Sequence, residues 1–126
     1  MAMLAPRAQA QQVVDCDWRA RADAMAEPWQ NNSRTFANGN VRLALLDTIE
    51  PAAAAFHILV LSPPYDEVGG RQCKIISAAG GLGFAGMDFS TLTASYDPAV
   101  GLVFDIDAAT YDADQGLAGP GIPLRF

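Results

Sequence analysis

The sequence predicts a mainly β protein: an antiparallel β-sandwich or open barrel of seven or eight short strands, with one short N-terminal helix. Three observations predict it. From residue 34 onward, apolar and polar residues alternate in short runs, the period of a pleated strand. Turn residues such as Asn38-Gly39, Gly69-Gly70 and Asp97-Pro98 punctuate those runs, as in small all-β domains. Residues 56–61 are apolar or aromatic at every position, the composition of a strand covered on both faces.

Taken in order, residues 1–12 are expected to be a disordered leader or signal-peptide remnant, and residues 13–126 a single β-rich domain. Ala8-Gln9-Ala10 has the small-x-small pattern cut by signal peptidases, although a charged n-region and most of an apolar core are lacking. The expected location is therefore periplasmic or secreted. Asp17 is placed as the N-cap of a helix over residues 18–27. Trp18, Ala22, Met25 and Trp29 recur at helical spacing, and Asp15 with Arg19 and Asp17 with Arg21 are acid-to-base pairs four apart. Pro28 stops the helix. The alanines at 20, 22, 24 and 26 also alternate as in a strand, but alanine favours helix. The two tryptophans are expected to anchor this helix on the sheet.

Residues 34–37 and 40–47 flank Asn38-Gly39, a type I′ hairpin signal. Residues 48–55 form a connection, with a single helical turn starting at Pro51. Residues 56–61 and 71–77 are the neighbouring strands at the centre of the sheet. Phe56, Ile58 and Val60 point to one face; His57, Leu59 and Leu61 point to the other. Pro63-Pro64 ends the first of the two. Residues 84–89 and 92–96 are two further strands, the second of them half-buried. Residues 102–111 give an amphipathic strand with Leu102, Phe104, Ile106 and Ala108 on one face. Ile122, Leu124 and Phe126 mark a last strand.

The 126 residues are 51% hydrophobic and 17% charged, enough apolar material to form a folded core rather than a disordered chain. The net charge of −6 disfavours nucleic acid and anionic membrane surfaces as partners. Residues 88–114 contain Asp88, Asp97, Asp105, Asp107, Asp112 and Asp114 and no lysine or arginine, so this segment accounts for the whole net charge. No apolar run is long enough for a membrane span. Cys16 and Cys73 are the only cysteines. In an exported chain they are expected to pair, a constraint worth about 4 kcal/mol through loop entropy.

Three patterns invite chemistry. Gly81-Leu82-Gly83-Phe84-Ala85-Gly86 matches the dinucleotide-binding pattern, but residues 87–96 are rich in Thr, Ser and aromatics and do not continue as the required helix. It reads as a glycine-rich loop between strands, and no organic cofactor is expected. Asp112-Ala113-Asp114-Gln115-Gly116 resembles the start of a calcium loop. Asp105 and Asp107 complete a metal candidate set with Asp112 and Asp114, although Pro123 stands where the calcium loop wants glutamate. His57, the only histidine, could pair with Cys73, but a disulfide removes that nucleophile, and no catalytic residue is assigned. Tyr65, Asp66 and Glu67 are expected to form an exposed recognition loop. The resulting expectation is an exported, non-catalytic binding or structural module whose partner is a protein or another envelope component. The alternatives are a calcium-binding module using the 105–114 region and an enzyme of an unidentified class.

Overall fold

The computed structural model describes residues 11–78, 81–112, 117–118 and 122–125. The chain is mainly β and its strands pair antiparallel. In chain order they are β1 (Gln11–Asp15), β2 (Ser33–Phe36), β3 (Val41–Asp47), β4 (Phe56–Ser62), β5 (Gln72–Ala78), β6 (Gly86–Asp97), β7 (Gly101–Ala109), β8 (Tyr111–Asp112), β9 (Leu117–Ala118) and β10 (Ile122–Arg125). A five-stranded sheet has the order β1-β5-β4-β3-β2, a three-stranded sheet the order β10-β7-β6, and β8 pairs with β9.

β4 lies at the middle of the larger sheet, with Leu45 opposite Ile58 on one side and Ile75 opposite Leu59 on the other. Its alternation sorts side chains onto two buried faces, as its sequence requires. Ile58 belongs to a cluster with Val41, Leu43, Leu45 and Ile76. The smaller sheet contributes Phe89, Leu92, Phe104 and Ile106 to the same cluster. Two contacts join the sheets near β2: Phe36 meets Phe104 edge-on with ring centroids 5.0 Å apart, and Arg34 donates from Nη1 to the Leu92 carbonyl at 2.9 Å.

The opposite face of the larger sheet carries Ala44, Leu46, Leu59 and Ile75, and Ala24 buries against them. The cover is a strap, residues 16–26, that crosses the sheet. It is tied to β5 by the Cys16–Cys73 disulfide, whose Cα atoms are 5.4 Å apart. At its other end Met25 bridges Leu46, and the Ala26 amide donates to the Leu45 carbonyl at 3.0 Å. A disulfide of this kind belongs to an oxidising, non-cytoplasmic compartment.

The strap corrects the expectation of an N-terminal helix. Among the described residues it forms only two single 3-10 turns, Trp18–Ala20 and Ala22–Ala24. Asp17 caps the first, accepting from the Arg19 amide, but Arg21 is extended (φ −81°, ψ 155°) and breaks the run. The expected pairs four residues apart are replaced by Arg19 with Asp17, Arg21 with Asp23, and Lys74 with Asp15. Trp18 and Trp29 are 61% and 50% exposed, so neither anchors the segment. The small Ala24 packs against the sheet instead, and Trp18 lies under the Arg21 guanidinium, 5.7 Å from its ring centre.

Three other elements differ in detail. β1 begins at Gln11, which lies opposite Ala78. The β2–β3 turn is longer than a two-residue hairpin: Phe36 faces Val41, and Ala37, Asn38 and Gly39 all have positive φ. The 84–89 and 92–96 runs are one bulged strand, β6, whose register shifts between Asp88 and Thr93. Asp88 fills the bulge by accepting from the Ser90 amide and hydroxyl. Beyond Leu92 this strand is exposed rather than half-buried, with Tyr96 at 71%. The single turn after Pro51 forms as expected, over Ala52–Ala54. Among the described residues no helix is long and apolar enough to cross a membrane.

The 81–86 glycines serve packing. Phe84 bridges Phe56, and Gly86 opens β6 rather than a helix. A Cβ at Gly83 would lie 2.6 Å from the Ala54 oxygen, 2.7 Å from the Phe56 oxygen and 2.8 Å from His57 Nε2, whereas one at Gly86 would meet nothing within 4 Å. Two of the atoms crowding Gly83 are backbone and cannot swing aside. Gly83→Ala is therefore expected to cost at least about 1–3 kcal/mol, and Gly86→Ala to stay within about 0.5 kcal/mol. Urea denaturation of the two variants checks the contrast.

Candidate functional site

Two features stand out, and they lie on opposite faces of the larger sheet. The first is a buried polar network beneath the strap. Strand alternation turns His57 of β4 and Ser77 of β5 to the strap side, where they are 2% and 0% exposed. His57 Nδ1 lies 2.7 Å from Ser77 Oγ. Arg19, carried in by the first 3-10 turn, donates from Nη1 to Ser77 Oγ at 3.2 Å and to the Gly81 carbonyl at 3.3 Å. Its Nε and Nη2 hold both oxygens of Asp17 at 2.9 and 2.6 Å. A guanidinium only donates, so Ser77 Oγ accepts from Arg19, and the imidazole tautomer sets the direction of its bond with His57 Nδ1. The other ring nitrogen, Nε2, faces Gly83.

The electrostatics follow from this order. Burial pushes the His57 pKa down to about 4; the nearby Arg19 charge adds to the effect and the Asp17 carboxylate opposes it. The Arg19 hydrogen bonds hold the Asp17 carboxyl down at about 2, and the same contact raises Arg19. A serine oxygen beside a histidine nitrogen has the composition of a nucleophile and its base. Here the oxygen is wholly buried and already accepts from Arg19, so the network joins strap to sheet.

The second feature is a cleft of about 430 Å³ on the other face. Val41, Val60, Ile76, Leu102 and Phe104 line it, drawn from β3, β4, β5 and β7. Val13 and Val100 continue the apolar lining outward and are 57% and 71% exposed. Ser62 and Lys74 supply its polar side-chain groups. Lys74 reaches it because β5 alternates: Ile76 and Ala78 join the inter-sheet cluster, and Lys74 precedes them on the same face.

The residues singled out by sequence are distributed as follows. Cys16 and Cys73 are bridged. Cys73 lies opposite Leu61, four residues along β4 from His57, so the two do not form a dyad. Asp105 and Asp107 sit on β7, with Asp107 opposite Asp88, and Asp112 is on β8. Asp114 lies outside the described residues, as do Ala8-Gln9-Ala10. Among the described residues no three His, Cys, Asp or Glu side chains gather where they could hold a metal ion. In the β4–β5 loop, Asp66 Oδ1 accepts from the amides of Val68 and Gly70 at 3.0 and 2.7 Å, which shapes the loop. The Tyr65 hydroxyl donates to Asn40 Oδ1 at 3.0 Å, tying this loop to the β2–β3 turn, while Glu67 is exposed.

Sequence reasoning did not find Arg19, Ser77 or the cleft. A signal for Ser77 existed, since it shares its strand parity with Cys73 and Ile75 and so had to lie on the covered face. No protein family, curated protein or solved structure matches the chain.

The network fixes an acid response. The folded chain holds His57 neutral down to about pH 4, whereas the unfolded chain takes up that proton near its ordinary value of 6.5. Between those values the unfolded state binds more protons, so stability falls as pH drops through this window, by roughly 3 kcal/mol in all. Asp17 acts in the same direction at lower pH: its contribution is present above 3.8 and is lost as pH falls through about 2. Urea denaturation against pH should show the upper step, and His57→Asn should lose it while keeping the lower one. An imidazole resonance that titrates near 6.5 in the folded protein would contradict this reading.

Proposed function

We propose that the chain is an exported, non-catalytic binding module, periplasmic or secreted, built as a β-sandwich whose partner belongs to that compartment. The observation that carries the reading is the Cys16–Cys73 bridge, which pins the strap over the second face of the central sheet. A chain that depends on a disulfide for one of its two covers is suited to an oxidising compartment and poorly suited to a reducing one. The sandwich reading draws its support from the cluster shared by both sheets.

Binding rather than catalysis is favoured by how chemistry and access are divided. The one close serine–histidine pair has no exposed surface, and the open cleft is lined by apolar groups with one amine and one hydroxyl. Binding sites are typically concave and apolar with a few polar groups, whereas catalytic ones add convergent titratable side chains.

The export reading is tested by the thiol state of the protein in its own cells. Alkylation with a mass-tagging maleimide should shift neither cysteine before reduction and both after it, in the exported fraction. Recovery of the protein from the cytosol with both thiols reactive would sink the proposal. Reduction of the purified protein should lower its stability by about 4 kcal/mol, read as a shift in the urea midpoint.

A further inference from the structure

We propose that the inter-sheet cleft binds a single-chain amphiphile, with its hydrocarbon tail between the sheets and its anionic head on Lys74 and Ser62. This rests on the binding-module reading and gives it a ligand class.

The size and lining set the tail. A volume of about 430 Å³ falls in the range of small-molecule sites, which run from about 300 to 1,000 Å³. It has room for about fourteen water-sized groups at ~30 Å³ each, so a chain of medium length fits and a two-tailed lipid does not. The walls are aliphatic apart from Phe104. Branched and aromatic side chains offer dispersion contacts along a tail but give a planar polar ring no set of hydrogen-bond partners. Val13 and Val100, 57% and 71% exposed, carry the apolar lining out to the surface and give a tail its way in.

Charge sets the head. Lys74 is the only charged side chain that lines the cleft among the described residues, and no carboxylate does, although the chain as a whole is acidic. The Lys74 ammonium is paired with Asp15, its register partner on β1. That carboxylate side chain is 85% exposed, and an exposed ion pair of this kind contributes little. An incoming carboxylate, sulfate or phosphate can replace Asp15, which returns to water at small cost. The Ser62 hydroxyl supplies a second donor at the same cleft. Burying the tail supplies most of the affinity, and the amine orients it.

The probe is dodecanoic acid, added to the oxidised full chain and followed by isothermal titration calorimetry. Expected is saturable binding, displaced by dodecyl sulfate. The methyl ester of the probe should bind more weakly, by about the fivefold that a surface ion pair is worth. Lys74→Met, which keeps the apolar stem, should weaken the acid by the same factor and leave the ester unchanged. Val100→Trp, at a position 71% exposed and so free of folding cost, should narrow the mouth and weaken both. Absence of saturable binding, or equal binding by wild type and Val100→Trp, overturns the cleft as the site. Equal affinity for acid and ester overturns the anionic head. Failure of the export reading would show in the thiol and location test, which no probe result affects.

Discussion

The structure turns on β4 being apolar on both faces. A strand of that kind has to be covered twice. One cover is a second antiparallel sheet. The other is only residues 16–26, too short to make a layer of regular structure. A strap this thin has to satisfy its own backbone while lying flat on side chains. It does so by borrowing acceptors from the sheet, the Cys73 carbonyl at its start and the Leu45 carbonyl at its end. Its alanines allow the close approach, as the almost wholly buried Ala24 shows. In the middle it brings a charge, Arg19, into a site where an unpaired cation would be costly, and brings the counter-ion two residues ahead of it. Disulfide, bridge and guanidinium thus hold the strap at three places.

Chemistry and access are separated by the thickness of one sheet. On the strap side His57, Ser77 and Arg19 are sealed and engaged with one another. On the other side the cleft is open to solvent. Because successive residues of a strand point to opposite faces, the two sets come from the same strands: His57 and Val60 from β4, Ser77 and Lys74 from β5. The alternation that builds the core therefore also places His57 and Ser77 under the strap and Lys74 at the cleft.

Much of this was legible in the residues, and the part that was not has physical causes. β3, β4, β5 and β7 follow local alternation, and local alternation is what a sequence displays. The parity of His57, Leu59 and Leu61 could be read directly, and so could the pairing of the two cysteines. The strap was misread because its helical spacing is real, yet hydrogen bonds to β3 and a tether to β5 outweigh propensity over so few residues. β6 was split in two because the bulge at Asp88 breaks the period without ending the strand. The Arg19, Ser77 and His57 network joins positions 58 and 20 residues apart, which no local pattern encodes. The cleft was invisible for a different reason: a pattern shows which side chains turn inward but not whether they fill the space between two sheets.

The bridge between Cys16 and Cys73 has a further consequence. It closes a covalent ring that contains β2, β3 and β4 and, among its exposed connections, the loops around Gly39 and Asp66. A peptidase that clips either loop opens a circle rather than dividing a line, and every strand stays attached to its neighbours. In surroundings rich in proteolytic activity, cleavage at these exposed turns releases nothing.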